Sequence, residues 1–179
     1  SLEQEMEWSD AWLSRLVWRA FWQQTRSTQF TEQRRRRVVN GVSSSALRER
    51  IFSFNNETFG AELVTESEFK TGPFTHRLVA GSDLLLTDIA QLRTGLETDL
   101  STGEQTRIVG PDAFPVRDFP ASDILELGLF LQDEIQLWDE RLTLIPGVRL
   151  DVYDLDPKPD SIFLQDNPGI TPISIQATR

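Results

Sequence analysis

The chain has 179 residues, of which 39% are hydrophobic and 26% charged, and its formal net charge is -10. This composition excludes disorder caused by a shortage of apolar residues, and the acidity argues against general binding to nucleic-acid phosphates. Cysteine is absent and His76 is the single histidine, so disulfides, thiolate chemistry and two-histidine metal sites are excluded.

The N-terminal sequence and the hydropathy predict neither a signal peptide nor a membrane helix. Residues 1–7 are acidic and contain no apolar run, and the chain does not begin with methionine, so we expect a processed or truncated start. The longest apolar run, residues 124–131, is far shorter than the ~18 residues of a membrane helix. Membrane-crossing strands need only about 9–11 alternating residues, so a β structure in a membrane remains compatible with the sequence.

Residues 12–24 alternate between two kinds of side chain. Trp18 and Trp22 fall on one side of an extended chain, whereas Arg15 and Arg19 fall on the other. A period of two therefore fits better than a helical period and predicts a strand, with a helix as the alternative.

Residues 33–50 are basic and rich in serine, with four consecutive arginines at positions 34–37 and Asn-Gly at 40–41. This composition predicts a polar, solvated loop. Nucleic-acid binding is the alternative for the arginines, but the acidity of the remaining chain argues against it.

Two hairpins follow. Residues 48–70 and 75–88 alternate around a Thr-Gly-Pro turn at 71–73, which predicts an antiparallel pair. Residues 90–122 contain several glycines and prolines and predict a long loop.

The second hairpin runs through residues 123–137, a turn at 138–140, and residues 141–153. Pro146 lies inside the returning strand, which would be awkward in a central sheet of a soluble protein. The tail from Asp154 onward is polar and rich in proline, and predicts another loop.

Short turns at one end of long strands and long loops at the other are typical of outer-membrane barrels, whose strands alternate apolar-out and polar-in. We therefore predict an all-β fold, an antiparallel transmembrane β-barrel segment. It would contain about five long strands and two long extracellular loops, and residues 1–179 would form part of an incomplete barrel.

The second hairpin resembles a known family. Residues 126–135 read Glu-Leu-Gly-Leu-Phe-Leu-Gln-Asp-Glu-Ile, and residues 141–151 read Arg-Leu-Thr-Leu-Ile-Pro-Gly-Val-Arg-Leu-Asp. They resemble TonB-dependent outer-membrane receptors, in which a Phe/Tyr-x-Gln-Asp-like strand precedes a Leu-x-Pro-Gly-x-Arg-x-Asp-like strand. Residues 75–83 resemble the family's strand after a periplasmic turn. Within the family, the haem and haemoglobin receptor branch is the most similar.

The resemblance covers most of the chain from about residue 12. It implies a receptor of the bacterial outer membrane, surrounded by its lipid, that binds a scarce nutrient and uses energy from TonB to displace a plug. Haem or a haemoprotein is the implied ligand, and a ferric siderophore is the alternative. No segment resembles the plug or the TonB-contacting box, so we expect contact with the TonB complex through an N-terminal region outside this chain. The Phe-Arg-Ala-Pro and Asn-Pro-Asn-Leu motifs of haem receptors are absent.

One interpretation of His76 is that it is a haem ligand, and one interpretation of four aspartates is that they bind calcium. His76 follows the turn at 71–73, which is expected at the periplasmic end, so a structural or exposed role is favoured. The aspartates lack the glycine and terminal glutamate of an EF-hand loop, so a solvated rim loop is favoured for Asp151, Asp154, Asp156 and Asp160.

Other charged residues have structural explanations. Arg149 and Asp151 lie two apart, so both should face the lumen and pair with charges on neighbouring strands. Glu126 with Glu134, or Asp133 with Glu134, could be read as a glycosidase pair. The sequence implies no pocket for them, and Asp133 and Glu134 would face opposite sides of a strand. We predict no enzymatic activity, no catalytic residues, no metal site and no cofactor, and the ligand-binding residues are left unassigned.

The tryptophans fit either a soluble core or the aromatic girdle of a membrane barrel; they are Trp8, Trp12, Trp18, Trp22 and Trp138. Trp12 and Trp22 would lie about 27–33 Å apart along one strand. After tilting, that distance is close to the ~25 Å height of a lipid-facing band.

Three other classes of protein compete with the receptor fragment: a complete eight-stranded membrane barrel, a soluble β-sandwich binding module, and an enzyme. An open sheet with unpaired edges and an apolar side should aggregate in water. An isolated chain that stays monodisperse without detergent would therefore contradict the fragment hypothesis.

Overall fold

The structure is a computed structural model and describes residues 1–9, 12–39, 42–138 and 141–179. Its elements in chain order are β1 (Leu2–Glu7), β2 (Arg15–Val39), β3 (Val42–Thr71), β4 (Phe74–Asp99), β5 (Gln105–Thr106), β6 (Ile108–Val109), β7 (Asp112–Ala113), β8 (Ala121–Leu137), β9 (Leu142–Leu144), β10 (Gly147–Lys158), α1 (Ser161–Asp166) and β11 (Ile175–Thr178). Among the described residues, no helix is long and apolar enough to cross a membrane.

One antiparallel sheet contains nearly all the strands, in the order β1-β2-β3-β4-β8-β10-β11, with β5 on β4 and β9 on β8. Only β6 and β7 form a separate pair in the described part of the chain. The five longest strands are β2, β3, β4, β8 and β10, which confirms the predicted all-β fold and strand number. β1 and β11 lie at the two edges, so the described residues form an open sheet and not a complete eight-stranded barrel.

The sheet has two faces of opposite character, because directly opposed residues on neighbouring strands point to the same side. Leu63, for example, lies opposite both Trp18 and Ser82. We call this side the apolar face. Its apolar band consists of Leu16, Trp18, Ala20, Trp22, Phe59, Ala61, Leu63, Leu78, Ala80, Leu84, Leu86, Leu125, Leu127, Leu129, Leu131, Val148, Leu150 and Val152. The other side, which we call the polar face, carries most of the ion pairs of β2–β4, β8 and β10.

The apolar band is not covered by the chain itself. Trp22 is 59% exposed, Leu129 43% and Val148 66%. A soluble β-sandwich would bury this face against a second sheet, and among the described residues no such layer exists. An exposed apolar surface of this kind marks a face that packs against lipid or another protein.

The two ends of the sheet also differ. One end, the turn end, has a short connection at residues 72–73, as the first hairpin predicted. Gly72 adopts φ 60° there, a conformation that glycine takes at no steric cost. In the second hairpin β8 ends at Leu137 and β9 begins at Leu142, and residues 139–140 of the predicted turn lie outside the described residues. The opposite end, the loop end, contains residues 100–120, the segment with α1, and the tip of the β2–β3 hairpin.

The predicted loop at residues 33–50 is wrong, because β2 and β3 continue in one register from Arg15 opposite Glu66 to Val39 opposite Val42. The helix alternative for residues 12–24 is wrong for the same reason. Polar composition shows that side chains meet water, but both strands keep their backbone hydrogen bonds through the ladder with each other.

Two other predicted loops contain regular structure. β4 continues to Asp99, past the predicted loop start at residue 90, and residues 105–113 form three short strands. β10 extends through Asp154 to Lys158, and the tail then forms α1 and β11. Asp160 begins α1 as its N-cap, since its carboxylate accepts a hydrogen bond of 2.9 Å from the Phe163 backbone N–H.

Trp12 and Trp22 do not lie along one strand as predicted. Trp12 lies before β2, which begins at Arg15, and is 78% exposed. Trp18 and Trp22 do lie on the apolar face as the alternation predicted. The Trp22 indole donates a hydrogen bond of 2.7 Å to Glu57, so its polar edge is satisfied where the apolar band ends.

Candidate functional site

The polar face at the loop end presents two rows of side chains across β2, β3 and β4. Phe52 lies directly opposite Gln29 and Arg93, and Arg50 lies directly opposite Thr31 and Gly95. Because each row crosses three strands in register, its side chains stand next to one another on the same face.

The segment after β4 folds back onto this surface. The backbones of Arg93 and Val116 exchange two hydrogen bonds of 2.9 Å, so the returning segment pairs with β4 at this one bridge. The Phe114 ring lies against Gly95, where a Cβ would come within 2.4 Å of it. Phe114 and Val116 pack with Val109 into a buried cluster, which fixes the returning segment.

A hydrogen-bonded network secures the same segment. Gln91 is 1% exposed; its amide donates to Asp118 at 2.9 Å and accepts from the Asp118 backbone at 3.0 Å. Arg93 pairs with Asp118 and with Asp112, both at 2.8 Å. Burial lowers the pKa of Arg93, but these two carboxylates more than offset the effect and raise it overall. The Arg93 guanidinium also lies 5.8 Å from the centre of the Phe114 ring.

The segment with α1 joins this unit through Arg117. The Arg117 side chain pairs with Asp160 at 3.0 Å, and its backbone N–H donates to Asp166 at 2.8 Å. Asn167 donates to the Arg117 carbonyl at 3.0 Å, while Phe163 is 3% exposed. The two returning segments are thus held to β4 and to each other by partly buried polar contacts.

Between the strands and the returning segment lies a hollow of about 280 Å³, which we call the loop-end hollow. Its side walls on the polar face are Gln29, Thr31, Arg50, Phe52, Arg93 and Phe114. Among the described residues, no carboxylate forms an ion pair with Arg50. The nearby carboxylates of Glu97 and Asp112 pair with Arg48 at 2.7 Å and with Arg93 at 2.8 Å. The hollow therefore offers hydrogen-bond donors, one guanidinium without a carboxylate partner, and two aromatic rings.

These residues were not singled out from the sequence. Arg50 belonged to the stretch predicted as a loop, and Phe114 to the long loop at 90–122. Only the register of β3 with β4 brings Arg50 opposite Gly95, and no spacing within either segment signals that pairing.

His76 lies at the turn end, as the sequence predicted, and far from the hollow along β4. Its Nδ1 is 2.7 Å from Asp133 and its Nε2 is 2.6 Å from the Thr71 hydroxyl. The ring stacks on Phe69 with 4.8 Å between centroids. These contacts use both ring nitrogens within the chain.

The four aspartates of the calcium hypothesis have separate partners. Asp151 pairs with Arg149 at 2.7 Å, and Asp160 with Arg117 at 3.0 Å. Asp156 pairs with Lys158, and Asp154 accepts from Gln176 at 3.2 Å. Across the part of the chain that the structure describes, no group of three or more His, Cys, Asp or Glu is arranged to hold a metal.

Arg149 lies on the polar face as predicted, but its partner across the sheet is Asp83 on β4, beyond the neighbouring strand β8, and not a charge on a neighbouring strand. Its guanidinium lies 3.1 Å from Asp83 on β4 and 2.7 Å from Asp151 on its own strand, and it crosses over Gly128 of β8. Asp133 and Glu134 face opposite sides of β8, since Asp133 lies opposite Leu78 and Glu134 opposite Arg77. Glu126 lies opposite Leu85, on the same face as Glu134.

A row of carboxylates at the loop-end limit of the apolar band was also missed. Glu57 lies opposite Asp88, Asp88 opposite Asp123, and Asp123 opposite Asp156, so four strands each contribute one. The signal for it was present at three of these residues, because Glu57 and Asp123 stand two positions before the first apolar position of an alternating run and Asp88 stands two positions after the last. The row shows where the apolar band stops.

On β8 the apolar band is bounded by Asp123 at the loop end and Asp133 at the turn end. These two residues are ten positions apart, about 34 Å along a strand at 3.4 Å per residue. A strand tilted by about 45° covers roughly 24 Å of height over that length, which matches the ~25 Å lipid-facing band of outer-membrane barrels.

The sequence pattern of one known family covers nearly the whole chain. Residues 2–171 match the family described as TonB dependent receptor-like, beta-barrel. No curated protein sequence matches the chain. The family implies a β-barrel receptor of the bacterial outer membrane, in agreement with the antiparallel sheet, its apolar band and its polar face. The chain belongs to the TonB-dependent receptor family and forms part of its β-barrel.

Proposed function

We propose that the chain is part of an outer-membrane receptor that takes up haem or another iron-containing ligand into a bacterial cell. The match of residues 2–171 to the family's β-barrel carries the proposal. In this account the apolar face contacts outer-membrane lipid and the polar face lines the lumen. The turn end lies in the periplasm and the loop end outside the cell, as in barrels with short periplasmic turns.

The complete receptor would contain strands that pair with β1 and β11. Both lie at open edges of the sheet, and an edge left unpaired in lipid costs several kcal/mol for each unsatisfied backbone group. We infer that residues 1–179 are one part of the barrel domain. A plug and the TonB-contacting segment would belong to another part of the receptor, through which energy reaches the ligand.

Haem or a haemoprotein is the proposed ligand, because residues 126–135 and 141–151 resemble the haem receptor branch most. A ferric siderophore is the second candidate ligand. No enzymatic activity is proposed, and no nucleic-acid partner.

Growth on defined iron sources tests this proposal. A strain lacking the complete receptor should lose growth on haem as iron source and regain it when the gene is restored, but only if TonB is present. If the deletion abolishes growth on ferric siderophores but not on haem, the siderophore is favoured as the ligand. If the deletion changes growth on none of these iron sources, the proposed function is wrong.

A further inference from the structure

We propose that the loop-end hollow binds an anionic group of the ligand, with Arg50 as its charged contact. The inference rests on the proposed function, since it names the ligand class that such a receptor would accept. It is carried by the geometry of Arg50, Phe52 and Phe114 and by the distribution of charge along the chain.

Arg50 is placed to meet a ligand. It points to the polar face from the middle strand of three, between Thr31 and Gly95. Its neighbour across the sheet is a glycine, so the adjoining space is filled by the Phe114 ring and not by a cross-strand side chain. Arg50 is partly exposed as a residue, and no described carboxylate forms an ion pair with its guanidinium.

Arg93 differs from Arg50 in this respect. Both line the hollow, but Arg93 is held by Asp112 and Asp118 and stabilises the returning segment. An arginine already paired with two carboxylates attracts an anion weakly, whereas an unpaired one can donate two parallel hydrogen bonds to a carboxylate or a similar oxyanion.

The aromatic rings favour a ligand in which the anionic group is attached to a flat, apolar body. Phe52 follows Arg50 by two positions on the same face, and its partly exposed ring can pack against a planar body while the guanidinium contacts its charged substituent. The Phe114 ring is 6% exposed and forms the wall of the hollow beside Gly95. At about 280 Å³ the hollow holds such an edge and not a whole protein ligand.

The charge distribution favours the same class. Residues 26–50 contain seven arginines and two glutamates, whereas the whole chain has 18 Lys+Arg and 28 Asp+Glu. The β2–β3 hairpin beyond the apolar band is thus a basic arm on an acidic protein. A local positive field attracts anions toward the arm and raises their rate of encounter with the nearby hollow.

The test uses the complete receptor, purified in detergent, and two pairs of iron-containing probes. The first pair is haem and its uncharged dimethyl ester; the second is an anionic ferric tricatecholate and a neutral ferric trihydroxamate. We expect the receptor to bind the anionic member of at least one pair more tightly. Arg50→Gln should weaken that binding about tenfold or more and leave binding of the neutral member unchanged.

Two further variants separate recognition from folding. Arg50→Lys keeps the charge but loses the two parallel hydrogen bonds, so it should retain part of the preference for the anionic probe, more than Arg50→Gln does. Arg26→Gln removes an arginine from the same arm, but on the apolar face opposite Asn55, and should leave the preference intact. All variants should show the unfolding transition of the unchanged receptor.

Several results would overturn the inference. If the receptor binds only neutral probes, it remains an iron receptor but the hollow does not recognise an anion. The same conclusion follows if Arg50→Gln weakens both members of a pair equally, or if Arg26→Gln has the effect expected of Arg50→Gln. If the receptor binds none of the four probes, the proposed function fails, and the inference that rests on it fails too.

Discussion

The Phe114 ring occupies the space that a side chain at Gly95 would need. A Cβ added to Gly95 would lie 2.4 Å from two carbons of that ring, well inside van der Waals contact. Since Phe114 belongs to the buried cluster that holds the returning segment, this one contact ties β4 to the wall of the loop-end hollow.

Gly95→Ala should therefore displace Phe114 and loosen residues 105–118. Overpacking of this kind costs about 1–3 kcal/mol. The measurement is urea unfolding of the complete receptor in detergent, together with ligand binding. Gly147→Ala is the matched control, because a Cβ at Gly147 would meet its nearest neighbour at 3.6 Å, an ordinary contact. Equal stability and equal binding of the two variants would show that the packing of Phe114 on Gly95 is not needed.

The Arg48–Glu97 pair should stabilise the loop end more than any exposed arginine of the arm. Arg48 donates two hydrogen bonds to Glu97 at 2.7 and 3.0 Å, and the side chains are only 11% and 10% exposed. Arg48→Gln removes one charged partner of a mostly buried carboxylate, together with two hydrogen bonds, so we expect a loss of about 1–3 kcal/mol in unfolding free energy.

Arg36→Gln serves as the control for Arg48→Gln. Arg36 is exposed and donates to the Ser43 hydroxyl at 2.7 Å, so its removal should change stability little. Equal losses in both variants would indicate that burial of the Arg48–Glu97 pair has no energetic consequence.

Ionised Asp99 should stabilise the loop end at neutral pH, and this stabilisation should be lost in strong acid. It lies at the end of β4, and hydrogen bonds from the Ser101 hydroxyl and backbone and from the Thr102 backbone lower its pKa to about 2 from 3.8. A lowered pKa in the folded state means that stabilisation is fully present above the unfolded value and is lost as pH falls through the folded value.

The stability difference between the unchanged receptor and Asp99→Asn should thus be constant from neutral pH down to about 5 and disappear as pH approaches the folded pKa. Ser101→Ala removes the strongest donor and should raise the folded pKa of Asp99 toward its ordinary value. In that background the loss of the stability difference should be complete at a higher pH. A difference that stays constant to the lowest pH would contradict this account of Asp99. Thermal unfolding across a pH series provides the measurement.

Single cysteines on β8 should distinguish the two faces. The chain has no cysteine, so each introduced thiol in a cysteine-free receptor reports on one position. Glu126 and Gln132 are exposed on the polar face, and Leu129 and Leu131 are exposed on the apolar face. A water-soluble maleimide applied to outer membranes should label cysteines at 126 and 132 and spare those at 129 and 131. Equal labelling at all four positions would mean that the apolar band does not face lipid.

The sequence allowed the strands and their faces to be predicted where apolar and polar residues alternate. The alternation at Leu127 and Leu129, and the turn at Gly72, were sufficient signals because lipid and water impose opposite side chains on the two faces. Beyond the apolar band both faces meet water, so the alternation disappears. The arginines at 34–37 then look like a loop although they belong to a ladder.

The candidate site could not be predicted for a related reason. Its walls come from β2, β3, β4 and a returning segment, and the contact of Arg50 with its surroundings depends on strand register. Phe114 became part of the site only because Gly95 leaves room for its ring. A single glycine in a polar strand has many explanations, and the sequence alone offers no way to choose among them.

Uptake of radioactive iron supplied as haem tests energised uptake by this receptor without intervening steps, because growth also depends on what the cell does with the iron afterwards. Cells that produce the complete receptor should accumulate the iron, and loss of either the receptor or TonB should abolish the accumulation. Accumulation that persists without TonB, or that is the same with and without the receptor, would contradict the assignment of this barrel to energised iron uptake.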